Sequence, residues 1–62
     1  MMFNVVRPGE AMSARTDSEL MTIVSGYEWR KIKALRVGAE VSFPRGPNSN
    51  PHREHLHVKR ES

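Results

Sequence analysis

Apolar and polar positions alternate at both ends of this chain, and the alternation predicts strands. Residues 2–6, Met-Phe-Asn-Val-Val, place Phe3 and Val5 on one face of an extended segment. Pro8-Gly9 marks a turn. Glu10-Ala11-Met12 begins a short second strand, and the polar residues 13–18 read as a loop. Residues 20–24, Leu-Met-Thr-Ile-Val, form the strongest local signal, because Thr, Ile and Val are stiff at χ1 and favour extended backbone. Ser25-Gly26 permits a turn. Residues 30–37 alternate again, Gly38 punctuates, and residues 40–43 place Val41 and Phe43 on one face.

A helix competes for residues 18–36. Leu20, Val24, Tyr27 and Lys31 fall at helical spacing, and Asp17 stands where a cap belongs. Gly26 in the middle and the Thr-Ile-Val and Tyr-Glu-Trp segments favour strands instead. Residues 44–51 hold three prolines, a glycine and two asparagines, a composition that predicts a long flexible loop. Residues 52–62 are short and charged. Leu56 is their apolar anchor with Val58 in support, and they read as a strand or a short terminal helix that frays at its end. The whole reads as one small all-β domain without internal repeats.

Composition changes this picture in one respect. A chain of 62 residues with 37% hydrophobic content and no cysteine has a marginal core and no disulfide to staple it. Association of two chains is the expected remedy. No apolar run approaches a membrane span. Residues 1–10 lack the pattern of a signal peptide, so a cytoplasmic protein with no membrane partner is expected.

Charge is unevenly spread. Residues 1–28 carry two cations against four acids, and residues 29–62 carry eight cations against three acids. A basic half suits a polyanionic partner. Arg30, Lys31, Lys33 and Arg36 form a basic stripe, and Tyr27 and Trp29 stand beside it. As strand neighbours two apart, these aromatics share a face, where they either stack on bases or cover a small core. Packing is the commoner role. His52, His55 and His57 form a His-x-x-His-x-His cluster, yet neither helix nor strand aims all three at one point, so no metal is expected. No serine is joined by a motif to a histidine and a carboxylate, and no Gly-rich phosphate loop occurs. The expectation is a binding protein without cofactor, not an enzyme.

Two segments resemble a known family. Residues 1–12, M-M-F-N-V-V-R-P-G-E-A-M, are similar to the opening of the carbon storage regulator (CsrA/RsmA) family, M-L-I-L-T-R-R-x-G-E-x-L, with Arg7, Gly9, Glu10 and Met12 in register. Residues 52–56, H-R-E-H-L, resemble that family's H-R-E-E-I, and residues 40–43, E-V-S-F, resemble its E-V-x-V strand. The resemblance implies two interlocked chains of five short strands each, the first strand of one beside the last of the other. It implies a post-transcriptional regulator that binds GGA-containing hairpin loops of messenger or small RNA and modulates translation. Carried over by position, Arg7 and Arg53 are the main RNA contacts, with Asn4, Val6 and His52 at neighbouring contact positions.

This chain departs from the family pattern. Val6 replaces the first of two adjacent arginines, Asn4 replaces an apolar residue, and residues 44–51 intervene before the His-Arg pair. Such losses fit changed targets, or a phage-type factor that antagonises a host regulator by protein contact. A different class is also open. Residues 35–43, L-R-V-G-A-E-V-S-F, suit a small SH3-like or OB-like module that binds nucleic acid or protein through Tyr27, Trp29 and the basic stripe.

Overall fold

A computed structural model describes residues 1–45 and 55–62. The predicted first strand forms as β1, Met2–Val6, with Phe3 and Val5 fully buried. It ends in a tight turn at residues 7–10. The Glu10 N–H donates to the Arg7 carbonyl at 3.0 Å, and Gly9 takes φ +74°. Proline at the second position and a left-handed glycine at the third are what a type II turn requires. The chain then returns as β2, Ser13–Thr16, paired antiparallel with β1 so that Val5 faces Ser13 and Met2 faces Thr16. The second strand therefore lies later than residues 10–12, and the expected loop at 13–18 holds a strand and the start of a helix.

The larger correction concerns residues 17–37. They form two short helices, α1, Asp17–Met21, and α2, Gly26–Lys33. Each begins with a reciprocal capping box. Thr16 accepts from the Glu19 N–H while Glu19 accepts from the Thr16 N–H, and Ser25 and Glu28 repeat the pattern. Two orphan donors are satisfied at each start. Thr16, not Asp17, caps α1. Gly26 sits at the first position of α2, where it does not weaken a helix interior. Residues 20–24 are no strand: Leu20 is buried from α1, and Ile23 and Val24 pack on the core from the connection.

Strand β3, Glu40–Pro44, follows the predicted alternation, and Pro44 ends it in strand geometry. A proline is tolerated there because β3 lies at a sheet edge. Residues 46–54, most of the expected loop, lie outside the described residues, as do His52 and Arg53. Residues 55–60 form β4, His55–Arg60, so the alternative of a C-terminal helix is overturned. Its end is also tied down, since the Glu61 N–H donates to the Met2 carbonyl at 2.9 Å.

The result is an antiparallel sheet in the order β2-β1-β4-β3. The fold is mostly β with two short helices rather than all-β. Within one chain Val58 of β4 pairs with Val5 of β1 on one side and Val41 of β3 on the other. Phe3, Val5, Phe43, Leu56 and Val58 project to one face, where Leu20 and Ile32 from the helices complete the core. The opposite face carries Asn4, Val6, Ser42, His57 and Lys59, and neither α1 nor α2 packs on it. Arg60 anchors the exit of α2 to the sheet, its guanidinium donating to the Leu35 carbonyl at 2.7 Å.

Candidate nucleic-acid interface

Helix α2 divides its side chains sharply. Ile32 is buried, and Trp29 turns inward to meet Phe3 edge-on, with ring centres 6.1 Å apart and planes at 71°. Such T-shaped contact suits the charge distribution of two rings. Tyr27 points away and is 68% exposed. The two aromatics thus do not share a face, because on a helix a spacing of two places them on opposite sides. Packing holds for Trp29 and fails for Tyr27.

Arg30, Lys31 and Lys33 occupy the exposed side of α2, and Arg36 follows in the turn beyond it. Among the described residues none of the four is in an ion pair. Lys31 reaches back over the Tyr27 ring, its Nζ 5.5 Å from the centre. The stretch predicted as a basic strand is therefore a basic helix face and exit turn. Its cations also complement the negative end of the helix.

The acid of this helix is removed from that face. Glu28 is partly buried and is held by Arg45, whose Nη2 lies 2.9 Å from Oε1 and whose Nη1 bonds Oε2. The Arg45 hydrogen bonds are the main cause holding the Glu28 carboxyl below its usual value of 4.5; burial opposes them, and the Ser25 N–H assists. A lowered folded value means the stabilisation is complete above the ordinary carboxylate value and is lost as pH falls through the lowered one. We expect the melting temperature to decline as pH drops below about 4.5. Glu28→Gln should lower stability near neutral pH and flatten that decline. An acid limb unchanged by the substitution would show that other groups carry it. Glu19, exposed, is likewise held below 4.5, first by the Thr16 N–H and then by the Thr16 hydroxyl.

The residues implied by the family resemblance lie elsewhere. Asn4 and Val6 stand on the helix-free face of β1, opposite Lys59 and His57 of β4. The Asn4 amide donates to Glu61 Oε1 at 2.8 Å. Arg7 follows at the end of β1, with its Nε 3.2 Å from Glu10 Oε2 across the turn. That end of β1 lies beside the start of β4. The α2 set and the Asn4–Val6 set therefore occupy opposite sides of the sheet and form no single site. Lys59, level with Asn4, is a cation of this face that the sequence reading did not single out. The alternation His-Leu-His-Val-Lys in residues 55–59 would have placed it there had the segment been read as a strand.

Among the described residues no three histidines or carboxylates converge on one point, and no helix is long and apolar enough to cross a membrane. Comparison with protein-family models, curated proteins and solved structures finds no match to this chain.

Proposed function

We propose that this chain binds single-stranded RNA, with the outer side of α2 and its exit turn following the phosphates and Tyr27 offering a ring to an unpaired base. One observation carries the reading. Four cations within residues 30–36 are exposed and without an acidic partner among the described residues, beside an aromatic ring open to solvent. Cationic grooves with stacking platforms are how single strands are held without strict sequence preference. Arginine and lysine at such positions release counterions from phosphate on binding.

The resemblance to carbon storage regulators favours RNA over DNA and adds a second element. In that reading Asn4, Val6, Arg7, His52 and Arg53 select GGA loops and the consequence is altered translation. The intertwined homodimer belongs to the same reading. β4 is joined to the rest of the chain only through residues 45–54, so its exchange between two chains would preserve the order β2-β1-β4-β3 while interlocking the protomers.

The test is anisotropy of labelled ligands: a GGA hairpin, a scrambled hairpin and a duplex DNA, each at 50 and 200 mM salt. Four phosphate contacts to a single strand predict a loss of roughly 50-fold over that range. Preference for the GGA hairpin supports the family site as well as the helix face. Equal affinity for both hairpins leaves the helix face alone. Preference for the duplex overturns the single-strand reading, and no binding at 50 mM salt overturns the function. Light scattering of the same samples reports whether the protomers pair.

A further inference from the structure

We propose that the outer edge of β3 joins two copies of this chain, antiparallel and about a twofold axis, into one continuous sheet. The proposal does not rest on RNA binding. β3 ends the order β2-β1-β4-β3, and among the described residues no strand pairs with its outer side. The Arg60 N–H donates to the Ala39 carbonyl at 3.0 Å, one step beyond the Glu40–Lys59 pair. Backbone direction alternates along an antiparallel strand. Val41 and Phe43 therefore bond β4, while Glu40, Ser42 and Pro44 turn their backbone outward. The opposite edge of the sheet is less open. The Glu61 N–H donates to the Met2 carbonyl, and the same alternation then turns Ala14 and Thr16 of β2 outward. The Thr16 N–H is already taken by Glu19. β3 thus offers the longer run of outward donors and acceptors, the kind of edge that takes up another strand.

A second copy is the occupant because the edge is complementary to itself. With Ser42 of each chain at the axis, the two serines exchange N–H···O=C bonds. Each Glu40 N–H then meets the partner's Pro44 carbonyl. All the outward N–H groups of both strands are satisfied, and Pro44, which has none to give, stands where its acceptor is used. Only the Glu40 carbonyls, at the ends, are left to water. On the helix side Val41, half-buried, gains the partner's Phe43 as a cross-strand neighbour, an aromatic–β-branched pair. Charge selects this register. A shift of two residues, with Val41 opposite itself, would make the two Glu40 carboxylates diagonal neighbours about 7–8 Å apart. In the proposed register they stand four positions apart. A chain of 62 residues without cysteine gains from such sharing. The five residues of β3 span only about 17 Å, too short an edge to bury the roughly 1,200 Å² of a stable interface, so the pairing is reversible. The axis is normal to the sheet, so the basic α2 helices of both copies lie on one side of it.

The experiment is sedimentation velocity of the full chain without RNA, from about 10 μM to about 1 mM, the range of weak association. We expect the average mass to rise from one chain toward two. Ser42→Lys sets like charges opposite one another across the axis and should abolish the rise, as should Ser42→Glu. An equimolar mixture of the two variants should restore it, since opposite charges then face each other. Ser42 is exposed, so both variants should keep the parent's circular dichroism. A parent that stays monomeric at the highest concentration overturns the proposal. A dimer that persists in each variant alone also overturns it, and is the behaviour expected of exchanged β4 strands, which do not set one Ser42 against another. Variants that separate but do not pair in the mixture overturn it as well.

Discussion

Phe3→Ala should leave the chain unfolded or barely folded at 25 °C. Phe3 is fully buried near the middle of the sheet and lends its ring to Trp29. Truncating a buried phenylalanine costs about 3–5 kcal/mol, part from lost transfer energy and part from the cavity left behind. The aromatic pair adds about 0.5–1.5 kcal/mol beyond area. A domain of this length is expected to hold only about 3–9 kcal/mol in total. The loss is thus comparable to the whole. Phe3→Leu keeps most of the volume and should melt cooperatively at a lower temperature. Thermal melts by circular dichroism check both. A Phe3→Ala variant that melts within a few degrees of the parent would mean that the core does not centre on this ring.

The second large effect is on binding. Replacing Arg30, Lys31, Lys33 and Arg36 together by glutamine should reduce the slope of log affinity against log salt by about 3, since each phosphate contact contributes about 0.7 for a single strand. Extrapolated from molar salt, the same arithmetic gives a loss of roughly 4,000-fold at 50 mM. All four side chains are exposed and glutamine is a good helix former, so the fold should persist. Loss of their interaction with the helix end costs some stability, about 0.3–1 kcal/mol for each charge in the last turn. Asn4→Ala, on the other side of the sheet, is the companion measurement. If it leaves affinity unchanged while the fourfold variant loses it, α2 is the contact surface. The reverse result would move the site to the face that the family resemblance implies.

The parts of the fold that could be read directly were those where one physical signal acted alone. Alternation located β1 and β3, and Pro8-Gly9 located a turn that needs both residues. Leu56 and Val58 were correctly taken as anchors, but a six-residue segment carries too little pattern to separate strand from helix. At residues 17–37 two signals competed. The β-forming side chains of Thr22, Ile23, Val24, Tyr27 and Trp29 argued for strands, and tertiary packing overrode them. The decisive feature was present as Thr16…Glu19 and Ser25…Glu28, two capping boxes nine residues apart. Read as helix starts, they would have split the region into two helices and moved Gly26 from an interior to a first-turn position.

The candidate site was half legible for the same reason. The basic stripe was visible as composition. That Tyr27 faces solvent while Trp29 faces Phe3 follows only once the period is known to be 3.6 and not 2. Glu28 is withdrawn from the stripe by Arg45, a partner 17 residues away that nothing in the local sequence announces. Lys59 was missed because its neighbours were not placed on a strand.

The order β2-β1-β4-β3 makes residues 55–60 the keystone of an arch whose flanks come earlier in the chain. A fragment ending before His55 would possess a hairpin, two helices and an isolated strand, with nothing to span the gap between Val5 and Val41. Assembly is therefore all-or-none with respect to the final strand, whichever end emerges first. Proteolysis between residues 45 and 55 would leave pieces able to reassociate only through that strand, and a peptide copying it could compete for the vacated groove.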